Sequence, residues 1–191
     1  MTSEKVLVTE ANGMTGEVDL VLFYGQSNAG PGGQSVPVLT EAKFTHNVMS
    51  FATRKQLYGN SEAKFSDLAG VGPVADHPKY PPLPATAMAF ALGASVNGNA
   101  DIARKFFFFT VWEGGQPLSA FVKGKIPWNN LMGGVLKGAN ELRKRGLRTS
   151  VRAMIFVQGE GGPWGREAYR SALTPFCAAI SEAIQLEIGQ D

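Results

Sequence analysis

The sequence predicts an α/β protein with a mainly parallel sheet and helices on both faces of it. Three observations carry that expectation. Short apolar runs alternate with longer segments of helical periodicity. The runs Val18–Tyr24, Lys105–Trp112 and Ser150–Val157 are apolar almost throughout rather than alternating, which suits strands buried on both faces. Each of the three also stops at a polar turn containing glycine: Gly25-Gln26-Ser27-Asn28, Gly114-Gly115-Gln116 and Gln158-Gly159-Glu160. In a parallel sheet these three ends share one edge, and open α/β sheets bind ligands outside the carboxyl ends of their strands. One cleft built from three separated turns is the consequence.

Taken in order, residues 1–17 read as a leader or edge segment, with a short edge strand at Lys5–Thr9, and 18–191 read as one domain. Val18–Tyr24 is short, continuous and rich in branched and aromatic residues, the composition of a buried strand. Gly30, Pro31, Gly32, Gly33 and Pro37 make residues 29–45 a loop, and Asn47–Phe51 is a short second strand. Residues 52–83 carry glycine and proline throughout and read as an irregular site wall or lid. Pro84–Val96 is small, apolar and alanine-rich, with Pro84 suited to a first helical turn. Trp128–Arg145 is a helix ended by Gly146. From Arg166 onward, Tyr169, Leu173, Phe176, Ile180 and Ile184 fall on one helical face, and Pro175 is expected to kink that helix or restart it.

Bulk composition narrows the function classes. The 191 residues suffice for one domain with a real core. With 18 basic and 16 acidic residues, the near-balance of charge gives no reason to invoke a nucleic-acid partner. The local cluster Arg143, Lys144, Arg145, Arg148 and Arg152 lies mostly where a helix ends, and cations there complement the helix dipole. The single cysteine, Cys177, forbids an intrachain disulfide and sits in an apolar helical pattern, so it reads as a small core residue. No stretch reaches the roughly 18 apolar residues of a membrane span, and the amino terminus lacks a signal-peptide apolar region, which leaves the compartment open. Neither G-x-x-x-x-G-K-S/T nor G-x-G-x-x-G follows the first strand, which argues against a nucleotide site.

The three turns have a chemistry in common. A serine nucleophile needs an oxyanion hole and a base. Ser27 can attack. The N–H groups of Ser27 and of Gly114 or Gly115 can hold the oxyanion, and the Gln158 amide can donate to it or orient its turn. Gln26, Asn28, Gln116 and Glu160 are supporting or substrate-binding positions. Trp164, in the loop Gly161–Gly165, is the best placed of the three tryptophans to stack on a sugar. The chain has two histidines: His77, in Asp76-His77-Pro78, is a weak candidate base, and His46 a weaker one.

In that order, Gly25-Gln26-Ser27-Asn28, Gly114-Gly115 and Gln158-Gly159-Glu160 resemble the motifs of the sialate O-acetylesterase-like group of SGNH (GDSL-type) hydrolases, which includes acetylxylan esterases of carbohydrate esterase family six. The resemblance covers roughly residues 18–185. It implies a three-layer α/β/α sandwich with a flavodoxin-like sheet, and an activity that removes O-acetyl groups from carbohydrate. Ser27 would be the nucleophile, and Ser27, one of Gly114 and Gly115, and Gln158 would form the oxyanion hole, with no metal or organic cofactor. The chain departs from the family pattern at Gln116, Val157 and Gly162, and no D-x-x-H occurs in it. The resemblance therefore implies that the last strand and helix and the Asp-His pair are supplied by a further C-terminal segment or a second chain. The alternative is a catalytically inactive SGNH-fold module that binds glycan or serves a structural role, for example in a phage-like particle.

Overall fold

The computed structural model describes residues 16–29, 48–51, 57–58, 71–73, 105–159 and 165–189. The expected edge strand at Lys5–Thr9 and helix at Pro84–Val96 lie outside these residues.

The described chain forms six strands and two long helices. The strands are β1 (Glu17–Gly25), β2 (Val48–Phe51), β3 (Leu57–Tyr58), β4 (Val71–Pro73), β5 (Lys105–Trp112) and β6 (Arg148–Val157). The helices are α1 (Ile126–Lys144) and α2 (Arg166–Ile188). The strands run β4-β2-β5-β1-β6 across one sheet, and β3 pairs with β5 beyond the end of β2. Every pairing is parallel except that of β2 with β4. The protein is thus of the α/β class, as the apolar runs predict. β5 and β6 flank β1 on opposite sides, so the connection through α1 crosses over β1.

Side-chain alternation divides the sheet into two faces. Val18, Leu20, Leu22 and Tyr24 of β1 join Phe107, Phe109 and Val111 of β5 in a core with Leu131, Val135, Ala139 and Leu142 of α1 and Phe176 and Ile180 of α2. Val21, Phe23, Phe106 and Phe108 form a second cluster on the opposite face, where Ala153 and Ile155 pack against them. The phenylalanine run Phe106–Phe109 is thereby shared between both faces. Gly134 and Gly138, one turn apart on α1, open a groove for it. A Cβ at Gly134 would lie 2.0 Å from the Phe109 ring, and one at Gly138 2.7 Å from the Phe107 ring.

α1 begins with Pro127 in its first turn, where the missing N–H costs nothing, and is followed by Gly146 at φ 77°. α2 runs unbroken across Pro175, so the helix does not restart there. Proline removes one N–H, the one that would bond the Ser171 carbonyl. Ser171 and Pro175 are both exposed, so water can satisfy that carbonyl, while Leu173, Phe176 and Ile180 hold both flanks on the core. Cys177 is exposed, a correction to the expected core position. It stands one residue past the buried Phe176, about 100° further round the helix and off the apolar stripe.

Much of the basic cluster is engaged at the sheet and helix ends. Arg143 donates to the Ile188 carbonyl at 2.6 Å, placing a cation at the carboxyl end of α2. Lys144 pairs with Glu141 at 2.9 Å. Arg152 bonds Asp19 at 2.9 Å and Glu17 at 3.2 Å. No helix among the described residues is long and apolar enough to cross a membrane.

Candidate active site

Register brings the three turns together. Gly25 of β1 is paired with Trp112 of β5 on one side and with Val157 of β6 on the other. Three parallel strands therefore end in one row. Gln26-Ser27-Asn28, Glu113-Gly114-Gly115-Gln116 and Gln158-Gly159 all leave the sheet at the same edge.

The first turn is made by backbone. Gly25 adopts φ 140°, a conformation closed to residues with a side chain, and its missing Cβ leaves room for the neighbouring strand. A Cβ there would stand 2.0 Å from the Val157 carbonyl oxygen. The Gln26 N–H donates to that same oxygen at 2.8 Å, and the Glu113 N–H donates to the Gly25 carbonyl at 2.9 Å. The turn is thus bonded to both adjacent strand ends. Ser27–Ala29 then forms a single 3-10 turn, closed by the Ala29 N–H on the Gln26 carbonyl at 2.8 Å. Gln26 is buried, Ser27 half-buried and Asn28 exposed, so the serine stands between core and solvent.

Beneath this turn Tyr24 is clamped. Its hydroxyl donates to the Phe121 carbonyl at 2.7 Å, and its ring meets Phe121 edge-on and stacks near Phe176. Burial pushes its phenol far above the usual range, so Tyr24 serves as a fixed neutral strut.

The second turn carries Gly114, half-buried, and Gly115, exposed at φ 71°. None of the hydrogen bonds among the described residues uses the N–H of Ser27, Gly114 or Gly115. Three backbone N–H groups thus stand on turns at one sheet edge without a bond among the described residues.

The third turn is tied to the second by a side chain. Gln158 Nε2 donates to the Gln116 carbonyl at 3.4 Å, while Oε1 is buried without a partner among the described residues. The Tyr169 hydroxyl of α2 donates to the Gln158 carbonyl at 3.0 Å. Of the two roles expected for Gln158, orienting its turn is the one with a bond to show for it. Gly159 is exposed at φ 138°.

One residue escaped the sequence reading. Glu113 follows β5 directly, is 8% exposed, and has a buried Oε2 without a hydrogen-bond partner among the described residues. Burial holds its carboxyl above the ordinary carboxylate range. The available signal was an acidic residue closing an otherwise apolar strand. Glu160, Trp164, His46 and His77 lie outside the described residues. Among the described residues no group of three or more His, Cys, Asp or Glu side chains is arranged to hold a metal ion.

No family model matches the chain, and neither does any curated protein. Among solved structures it is similar to a protein from Arabidopsis thaliana, with a TM-score of 0.52 and 16% sequence identity. That match covers 90% of this chain and 69% of the plant protein. At such identity the likeness speaks for the fold alone.

Proposed function

We propose that the protein is a serine esterase that removes O-acetyl groups from carbohydrate, with a three-layer SGNH-type α/β/α architecture. The observation that supports it best is the single row of Gly25, Trp112 and Val157, which gathers three turns of the expected kind at one sheet edge. In this reading the Ser27 Oγ attacks the acetyl carbonyl carbon, and the hydroxyl proton passes to a base. Negative charge builds on the carbonyl oxygen and is met by the N–H groups of Ser27 and Gly114 or Gly115, with the Gln158 side chain keeping the second and third turns in register. Collapse expels the sugar alkoxide, which is protonated as it leaves, and water then releases acetate from the Ser27 ester. The base is assigned to an Asp-His pair in a further segment or a second chain, since the sequence contains no D-x-x-H and Ser27 needs activation to attack.

Hydrolysis of an acetylated oligosaccharide, with Ser27→Ala as control, tests this. The variant is expected to lose at least about a thousandfold in kcat/KM. A fluorophosphonate probe is expected to add its mass to Ser27 in the wild type. Hydrolysis that survives Ser27→Ala would sink the esterase reading. Tight binding of acetylated glycan with neither turnover nor labelling would favour the inactive glycan-binding module instead, a reading motivated by the lack of a D-x-x-H in the sequence.

A further inference from the structure

Between the second turn and the amino end of α1 lies a pocket of about 330 Å³, lined in part by the second turn itself. Glu113 and Gln116 come from the second turn, Ser119 from the segment that follows, and Lys125, Ile126 and Pro127 from the start of α1. The volume falls at the lower end of the range of about 300–1,000 Å³ usual for small-ligand sites. The pocket adjoins the first turn through backbone, because the Glu113 N–H is bonded to the Gly25 carbonyl, two residues before Ser27.

We propose that this pocket is a subsite for a neutral, hydroxyl-bearing ring of the substrate, and that Glu113 takes one of the ring hydroxyls. The inference rests on the carbohydrate-esterase reading for the identity of the substrate.

A carboxyl oxygen buried without a partner is costly, and native structures rarely leave one so. Glu113 Oε2 is in that state and its residue lines the pocket. A rotation of the carboxyl that turns this oxygen to the pocket lets a ligand hydroxyl satisfy it in either protonation state, donating to a carboxylate or accepting from the acid. Charge then selects among ligands. Lys125 lines the same pocket as Glu113, so a cationic ligand meets a like charge on one wall and an anionic ligand meets one on the other. A neutral polyhydroxyl ring opposes neither. The remaining walls suit its shape: Ile126 and Pro127 offer apolar surface to the C–H face of a sugar, while Gln116 and Ser119 offer polar atoms at its edge.

Titration of xylotriose into the wild type, Glu113→Gln and Glu113→Leu, followed by calorimetry and by backbone amide shifts, tests the subsite. Glu113→Leu is expected to weaken binding by about tenfold or more, and Glu113→Gln, which still donates and accepts, by no more than about threefold. Amide shifts in the wild type are expected to centre on Ser119 and Ala120. Equal affinity in Glu113→Leu, shifts confined to other segments, or no titration of the wild type at millimolar sugar would each overturn the proposal. If Glu113→Leu does not fold, as judged by its melting curve, the wild-type shift map decides the matter. Failure of the esterase reading is separable. It appears as acetyl-ester hydrolysis retained in Ser27→Ala, a result the xylotriose titration neither needs nor alters.

Discussion

The first and third turns leave adjacent strands side by side, yet they are held in different ways. Gly25 and Gly159 adopt nearly the same φ, 140° and 138°. Around Gly25 the space is full: a Cβ would meet the Val157 carbonyl at 2.0 Å, and main-chain bonds run to both neighbouring strand ends. Around Gly159 a Cβ would meet nothing within 4 Å, and the turn is secured by the Gln158 amide and the Tyr169 hydroxyl. Main-chain bonds between strand ends move only if the sheet moves, whereas two side-chain bonds can break and re-form independently. The serine therefore stands on the part of the edge that sheet geometry fixes. Gln158, by contrast, is held among the described residues through side-chain bonds.

Substitution at the two glycines gives the strongest contrast. Gly25→Ala is expected to destabilise by about 2–6 kcal/mol, combining about 1–3 kcal/mol of backbone strain with a similar cost of overlap. Gly159→Ala incurs the strain alone, about 1–2 kcal/mol. Urea midpoints at unchanged m-value measure both, and equal losses at the two positions would erase the distinction. Next comes Tyr169→Phe, which removes the bond to the Gln158 carbonyl at about 1 kcal/mol. In acetyl-ester kinetics it is expected to raise KM more than it lowers kcat, the mark of a turn that positions substrate rather than the nucleophile.

The smallest effect concerns pH. The Glu113 carboxyl is raised in the folded protein from its ordinary value near 4.5, so the folded state binds that proton more tightly than the unfolded one. Its contribution to stability is full below about 4.5 and is lost as pH rises through the raised folded value. Urea midpoints across that window should decline in the wild type, and Glu113→Gln should flatten the decline. An unchanged slope in the variant would show that another group carries it.

Much of this edge was legible in the sequence because it depends on strand ends, and strand ends are written in contrast. Lys105–Trp112 runs apolar to its last residue, and its observed limits agree with the expected ones. β1 gains only Glu17 and Gly25 beyond the expected Val18–Tyr24. The common row of Gly25, Trp112 and Val157 follows once three such strands are parallel. What was not legible depends on segments distant in sequence. Glu113 reads as a turn residue until the fold sets it in one pocket with Ser119 and Lys125. Cys177 reads as core because helical periodicity places a stripe only to within about one residue. Arg152 reads as one of a basic group, because nothing local shows that β6 sets it beside Asp19 on another strand.

That last arrangement affects how the strands reach the site edge. β6 pairs Val151 with Leu20 and then Ala153 with Val21, leaving Arg152 as an extra residue in a bulge. The strand thus makes a detour of one residue midway along its length and still arrives level with β1, Gly25 against Val157. Downstream of the detour, Met154 and Phe156 face the helices, and Ala153 and Ile155 the opposite side. Asp19 and Glu17 hold the displaced residue by its charge. The bulge takes up one residue of length that β6 has and β1 lacks, so two strands of unequal length reach the row of turns together.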